Sequence, residues 1–167
     1  VPWGVSFHHM NFPGTITLST ETFIQVLVEV IASLHHHGFE RFLIVNGHGG
    51  NVAAMGIAAV RAREELDVPF VGACSYFSFP DPEIAKRHVT SEVTGHACEV
   101  EVATAMELVP DVVKRDALAP GELTELAQEF RREAQKYNVS IPYRFDQLTR
   151  NGALGDATKA TPEFGRE

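Results

Sequence analysis

The chain has 167 residues, of which 44% are hydrophobic and 22% are charged, and its net charge is −8. This length and composition suffice for one globular domain with an apolar core. The negative charge and the lack of a basic stripe exclude a nucleic-acid partner held through phosphate contacts. No apolar run of about 18 residues is present, so the sequence predicts no membrane-spanning segment.

The cysteines indicate the expected cellular compartment, and the chain ends indicate the expected extent of the domain. Cys74 and Cys98 are far apart and form no CxxC pair. We expect reduced thiols in a cytoplasmic protein rather than a disulfide. The start lacks the basic region of a signal peptide. Val1 opens directly on a predicted strand and the chain stops abruptly at Glu167. We therefore expect a single domain over residues 1–167, truncated at the N-terminus and also at the C-terminus.

Segments of strand character alternate with segments of helical period, and this order favours an α/β fold. The first strand is predicted over residues 2–7, and residues 11–18 form a turn and an extended stretch. Residues 41–46 are a short, largely apolar run, which predicts a strand covered on both faces. Residues 69–75 form a further predicted strand.

The helices follow from periodicity and end signals. Ser19 or Thr20 can cap the first helix, and Gly38 is placed to end it. The residues of its predicted buried face are Phe23, Leu27, Val30, Ile31 and Leu34. Ile24 and Val28 form a second apolar face, which we expect to contact a neighbouring subunit. The other helices are predicted over residues 51–66, 97–108 and 120–137, with mostly irregular segments over residues 76–95 and 138–167.

The sharpest local signal is the run Asn46-Gly47-His48-Gly49-Gly50-Asn51, between a predicted strand and a predicted helix. In open α/β sheets, ligands bind beyond the carboxyl ends of strands, where this loop falls. Three glycines allow positive φ and a close approach of the backbone to a ligand. A neutral imidazole such as that of His48 is the commonest metal-ligating side chain. The alternative is a tight turn in which His48 only hydrogen-bonds the backbone.

A second group lies in the run Gly95-His96-Ala97-Cys98-Glu99-Val100-Glu101. Helical spacing places Glu101 on the predicted buried face and Glu99 on a more solvated side. A buried carboxylate is costly unless it is paired or binds a metal, which makes Glu101 the candidate ligand. Alternatively, both acids only favour the helix dipole. His96 is either a general acid/base or a packing residue before the helix.

The remaining histidines and motifs carry less information. His9 follows a predicted strand, and alone such a residue is more often packed or exposed than functional. The run His35-His36-His37 fits the last turn of a helix, where positive charge is favourable, and adjacent helical residues do not converge on one ion. The chain has no G-x-S-x-G, Walker or G-x-G-x-x-G motif, so neither a serine nucleophile nor a nucleotide cofactor is indicated.

Taken together, these segments resemble the creatininase (creatinine amidohydrolase) family. The first match is the run Gly4-Val5-Ser6-Phe7-His8-His9 followed by Phe12-Pro13-Gly14-Thr15. The glycine loop at residues 46–51 is the second, and residues 96–101, which are similar to the family's HAGExETS box, are the third. Residues 155–157 and 160–165 are similar to the family's closing motif. The order and spacing agree over nearly the whole chain.

The resemblance implies a three-layer α/β/α sandwich with a largely parallel central sheet. It also implies an amidohydrolase that uses two divalent ions, Zn, Mn or Fe, to cleave a small cyclic amide, lactam or formamide through activated water. His48 and Glu101 are the implied metal ligands, and His96 is the implied catalytic residue. The implied substrate-binding residues are His9, Gly47, Gly49, Gly50 and Asn51. The partners it implies are a small-molecule amide and further copies of the chain, in a homo-oligomer that is often a hexamer.

Several positions depart from the family pattern. Gly50 stands where creatininase itself has an acid, and Cys98 replaces a glycine. Val102 and Ala103 replace the Thr-Ser pair, and the family's earlier Glu-x-His…Asp ligands would lie before Val1. One alternative is therefore a degenerate member that binds a ligand or partner without turnover. The other is an unrelated glycine-loop protein whose histidines are structural.

Overall fold

The computed structural model describes residues 1–79, 81–129 and 141–167. They form two compact units, Val1–Phe79 and Pro80–Glu167. Helices combine with a parallel two-stranded sheet in the first unit, and the predicted α/β class is confirmed. In the described part of the chain, no helix is both long and apolar enough to cross a bilayer.

The first long helix, α1 (Thr20–His36), begins and ends at the predicted signals. The Ser19 side chain accepts a hydrogen bond from Thr22 N, which satisfies one of the free N–H groups of the first turn. Gly38 follows the helix with φ of +90°, a left-handed conformation that glycine adopts without steric cost. The histidine run occupies the last turn as predicted, and His36 is exposed.

The predicted buried face of α1 is partly wrong. Val30 and Leu34 are exposed, whereas Ile24 and Val28 are buried. The buried stripe consists of Phe23, Ile24, Leu27, Val28 and Ile31. It packs on the second helix, α2 (Val52–Leu66), through Ala54, Met55 and Ala58. Ile24 and Val28 are thus buried within the chain, and their predicted contact with a neighbouring subunit stays a prediction.

The two strands, β1 (Arg41–Asn46) and β2 (Phe70–Ser75), pair in parallel and are joined by α2. The register pairs Asn46 with Ser75 at the carboxyl edge of the sheet. Phe42 and Ile44 pack on the helices. Leu43 and Val45, on the other face, are 62% and 63% exposed. The expectation that β1 is covered on both faces is therefore wrong within the first unit, where the described helices pack on the face of Phe42 and Ile44.

The strand predicted over residues 2–7 is also wrong. Residues 1–6 have no regular structure, and Phe7–His9 is a single 3-10 turn. Much of this segment's backbone bonding is to side chains, since Val5 N donates to Asn51 Oδ1 and Ser6 N donates to Thr17 Oγ1. Only the bond from Leu18 N to Gly4 O resembles a strand pairing. Of its apolar side chains, Val5 is buried against α1 and α2, whereas Trp3 and Phe7 are exposed.

The described part of the second unit has helices in segments that were predicted to be irregular. Helix α3 (Pro82–His88) lies in the segment expected to be irregular. Asp81 caps it by accepting from Glu83 N, and Pro82 occupies the first turn, where a proline is tolerated. The tail contains short helices at Phe145–Leu148 and Pro162–Arg166. Of the helix predicted over 120–137, residues 125–129 are helical, and residues 130–140 lie outside the described residues.

Helix α4 (Glu99–Leu108) presents a different face to the core than predicted. Its buried residues are Glu99, Ala103 and Met106, and Glu101 is only half-buried. The helix packs on Pro162–Arg166 so closely that a Cβ on Gly165 would overlap the Ala103 carbonyl. This contact sets the rotation of the helix and reverses the predicted positions of Glu99 and Glu101.

Candidate functional site

The loop after β1 is held by one buried amide side chain. Asn46 is 5% exposed, and its Oδ1 accepts from His48 N at 3.1 Å and from Asn51 Nδ2 at 3.1 Å. Its Nδ2 donates to His48 O at 2.8 Å and to Ser75 Oγ at 3.0 Å. All four hydrogen-bonding positions of this amide are therefore used. These bonds fix the conformation of the loop and attach it to the end of β2 through Ser75.

Asn51 attaches the N-terminal segment to the same loop. Its Oδ1 accepts from Val5 N at 2.8 Å. The backbone of Gly4 lies so close that a Cβ there would be 2.8 Å from Asn51 Nδ2. Because both polar atoms of Asn51 are engaged within the protein, its side chain positions residues 4–6 beside the loop. Its predicted role in substrate binding stays a prediction.

His48 is oriented by the segment that Asn51 holds. Its Nε2 lies 3.1 Å from Val5 O and 3.1 Å from Ser6 Oγ. A carbonyl oxygen only accepts, so Nε2 carries the proton in this arrangement and Nδ1 carries the lone pair. An ion that binds His48 without breaking this hydrogen bond does so through Nδ1. The expectation that His48 only contacts backbone is incomplete, since Ser6 Oγ and two imidazoles also surround it.

Three histidines come together at this loop. One ring nitrogen from each of His8, His9 and His48 lies within 4.8 Å of the others. The His8 ring stacks on that of His48, with centroids 5.5 Å apart and planes 6° from parallel. Among residues 1–79, 81–129 and 141–167, this is the one group of three or more His, Cys, Asp or Glu side chains spaced to hold a metal. Imidazole donors suit zinc and other first-row metals, so the residues present fit such an ion.

The three loop glycines do not have the predicted backbone conformation. None of Gly47, Gly49 and Gly50 has a positive φ. Gly50 is needed for close approach instead, because a Cβ there would overlap Val5 O and lie 2.7 Å from His48 Nε2. A Cβ on Gly47 or Gly49 would meet no atom within 4 Å. Open space beside these two glycines is compatible with their predicted role in substrate binding, which stays a prediction.

In the second unit, the Glu101 carboxylate is close to His96. Glu101 Oε2 accepts from Ala97 N at 2.6 Å and lies 3.9 Å from His96 Nδ1. Ala97 has φ of +50°, which a residue with a Cβ rarely adopts. His96 N and O pair with Leu154, and its ring meets Phe145 edge-on at 5.2 Å. Glu101 thus stabilises the turn that carries His96.

Glu99 is the buried acid of this helix, with no exposed surface. Its Oε1 accepts from Ser91 N at 3.0 Å, and its Oε2 accepts from Asp156 N at 3.4 Å. Burial disfavours the charge, but hydrogen bonding from Ser91, Asp156 and the Glu99 backbone outweighs it and lowers the pKa of Glu99. The expectation that Glu99 lies on a solvated helix face is wrong. Its buried carboxylate links α4 to the segments that contain Ser91 and Asp156.

His48 belongs to the first unit and Glu101 to the second. The expectation that both side chains bind the same two metal ions therefore stays a prediction. Sequence reasoning missed His8, Ser6, Asn46 and Ser75. His8 carried one usable signal, its position next to His9 in a segment matched to the family. The others form contacts across 29 to 42 residues, and no local pattern marks such contacts.

Comparison with known proteins identifies the family of this chain. The family model for creatininase, described as creatinine amidohydrolase, matches residues 1–167. A mycofactocin precursor peptide peptidase of Mycolicibacterium smegmatis is 31% identical over 99% of this chain and 58% of its own length. A 3-dehydro-scyllo-inosose hydrolase of Thermotoga maritima is 30% identical over 66% of this chain and 36% of its own length.

Solved structures agree with these sequence matches. A putative creatinine amidohydrolase of Bacteroides fragilis superposes with a TM-score of 0.85, at 26% identity, over 99% of this chain and 63% of its own. Creatininases described as Zn–Zn type and Mn superpose with TM-scores of 0.71 and 0.72, at 24% identity. The chain spans about three fifths of the length of the peptidase relative and of the Bacteroides fragilis protein. The predicted resemblance is confirmed: this chain belongs to the creatininase family.

Proposed function

We propose that the protein is a metal-dependent hydrolase that cleaves an amide C–N bond. The observation that carries this proposal is the convergence of His8, His9 and His48 on ring nitrogens within 4.8 Å, at the carboxyl end of β1. Ligands of α/β proteins bind at this edge of the sheet. Membership of the creatininase family supports the same chemistry.

The proposed ions are divalent Zn, Mn or Fe, two per site. His48 is the proposed imidazole ligand, and Glu101 is a proposed carboxylate ligand through Oε1, since its Oε2 already accepts from Ala97 N. When bound, such ions supply Lewis-acid polarisation of an amide carbonyl and a nucleophile generated from water at neutral pH. His48 is held for this task by Val5 O and Ser6 Oγ, which fix its ring and its tautomer.

His96 is the proposed proton carrier. Its Nδ1 faces Glu101 Oε2, so a proton on Nδ1 is stabilised by the carboxylate and Nε2 is left as the basic atom. Nε2 can accept the proton that the attacking water releases and then donate it to the amide nitrogen as the C–N bond breaks, because an unprotonated nitrogen anion is a poor leaving group. His9, Gly47, Gly49, Gly50 and Asn51 are the proposed substrate-binding residues. Backbone N–H groups of the glycine loop are suited to a developing oxyanion.

The proposed substrate is a small cyclic amide, lactam or formamide. A peptide bond is the second candidate, because the peptidase relative aligns with 99% of this chain. Assays of a lactam, an N-formyl amine and a short peptide with the purified protein separate the two. Turnover of the peptide alone would replace the small-molecule assignment and leave the amide hydrolase proposal standing.

Metal dependence is tested by chelation. We expect the purified protein to contain divalent metal, to lose amide hydrolysis on chelation and to regain it with added Zn²⁺ or Mn²⁺. The variant His48→Ala should lose metal and at least about 100-fold in activity, since it removes a direct ligand. His36→Ala, in the exposed last turn of α1, is the matched control and should retain both.

Two results would contradict this proposal. Hydrolysis that survives complete chelation would exclude the metal mechanism. A protein without metal and without turnover of any amide would favour the degenerate member, whose Val102 and Ala103 already depart from the family pattern. Elemental analysis of the wild-type protein distinguishes these two results.

A further inference from the structure

We propose that Phe145 is a positioning residue, which holds the ring of His96 in the orientation that proton transfer requires. This inference rests on the proposed function and deepens it, because it names a side chain that orients the proposed proton carrier. The two rings meet edge-on, with centroids 5.2 Å apart and planes at 82° to each other. Pairs of aromatic rings favour this geometry. Both residues belong to the second unit.

The bonds that hold the backbone of His96 do not set the angle of its ring. His96 N donates to Leu154 O at 3.4 Å, and Leu154 N donates to His96 O at 2.7 Å. The last side-chain torsion of a histidine has broad minima, so the ring angle depends on contacts made by the ring itself. Glu101 Oε2 lies 3.9 Å from His96 Nδ1, which is an ion-pair distance but too long for a hydrogen bond. The packing contact with Phe145 therefore adds a constraint that the carboxylate does not supply.

Phe145 can impose an orientation because the element that carries it is anchored. It begins the short helix Phe145–Leu148, and Thr149 N donates to Phe145 O at 2.8 Å. Leu148 and Thr149 are buried, and Thr124 N donates to Leu148 O at 2.9 Å. Phe145 itself is only half-buried. A substitution at Phe145 should therefore cost less stability than a substitution in the core, which makes an effect on His96 measurable.

The kinetics of amide hydrolysis test this role. We expect Phe145→Leu to lower kcat by about 10-fold and to leave KM and metal content within about twofold of wild type, because a turned His96 ring weakens the transition state and not substrate binding. Phe145→Tyr keeps an aromatic ring and should retain at least about half of the wild-type kcat. Phe39→Leu makes the same change at an exposed position before β1, and this matched control should behave as wild type does.

A double-mutant cycle separates positioning from a general structural role. In a His96→Ala background, Phe145→Leu should lower the remaining kcat by less than about twofold, since no ring is left to orient. A second fall of about 10-fold in that background would show a structural role and overturn the proposal. A wild-type kcat in folded Phe145→Leu would overturn it as well.

The orientation of the ring is also measurable without turnover. In the wild-type protein, nuclear Overhauser contacts should join the rings of His96 and Phe145, and their absence would overturn the proposal even if no variant folds. Contacts between the His96 ring and the Glu101 side chain should weaken in Phe145→Leu and return in Phe145→Tyr. If they persist unchanged in Phe145→Leu, the positioning role is wrong, although metal-dependent amide hydrolysis would still support the proposed function. If they depend on Phe145 in a protein that cleaves no amide, the proposed function is wrong and the orienting contact stands.

Discussion

Gly50→Ala should weaken divalent-metal binding by about 100-fold and destabilise the protein by about 3 kcal/mol, the upper end of the range for overpacking a tight site. The added Cβ would overlap Val5 O and lie within 2.7 Å of both the His8 and His48 rings. Carbon atoms pack at about 3.5–4.0 Å, so three groups must move at once. One of them is backbone, which cannot turn aside as a flexible side chain can. Metal content and thermal unfolding measure the two effects.

Gly49→Ala is the matched control for this experiment. It makes the same change one residue earlier, where a Cβ meets no atom within 4 Å and φ is not positive. We expect metal content close to that of wild type and a change in stability within about 0.5 kcal/mol. Equal loss of metal in both variants would show that the loop's flexibility, rather than the room beside His8 and His48, supports the site.

The elements of the first unit were predictable where local signals agreed with packing. Ser19 and Gly38 mark the ends of α1, and the short apolar run of β1 is followed by an alanine-rich helix, as observed. The segment at residues 2–7 has the same apolar character but forms no strand. Its N–H groups bond to the side chains of Asn51 and Thr17, which are distant in sequence, and residue composition does not reveal such partners.

The candidate site was likewise predictable only where a local sequence signal was sufficient. His48 was found because it follows a strand in a glycine loop, a position with general meaning in α/β folds. His8 was missed because its proximity to His48 depends on how Asn51 and Asn46 hold the two loops. The buried and solvated sides of α4 were predicted the wrong way round, because helical spacing alone does not show which side the helix Pro162–Arg166 covers. Packing between distant segments therefore limited both the fold and the site predictions.

Glu99→Gln should destabilise the protein by about 1–3 kcal/mol at neutral pH, with little direct effect on metal bound at His48. The carboxylate is completely buried and accepts from the N–H groups of Ser91 and Asp156. An amide keeps one acceptor oxygen, loses the charge that strengthens these bonds, and brings two N–H donors into a site arranged to donate. Denaturant unfolding of the two proteins at pH 7 measures the difference.

The pH dependence of this difference follows from the lowered pKa of Glu99. A carboxyl whose pKa is lower in the folded than in the unfolded protein stabilises the fold at pH values above its unfolded pKa, about 4.3. That contribution is lost as the pH falls through the lower, folded pKa. The gap between wild type and Glu99→Gln should therefore be constant near neutral pH and shrink below pH of about 4. A gap that widens on acidification would contradict the assignment of Glu99 as a buried, charged anchor.

Glu107→Gln is the matched control on the same helix. Glu107 is about one-third exposed, and its nearest cation is Arg166 at 3.5 Å. Exposed ion pairs contribute little, so we expect a change in the free energy of unfolding within about 0.5 kcal/mol. If both variants lose the same stability, the loss comes from the overall charge of α4. A loss confined to Glu99→Gln would instead show that one buried carboxylate holds the Ser91 and Asp156 segments against the helix that follows His96.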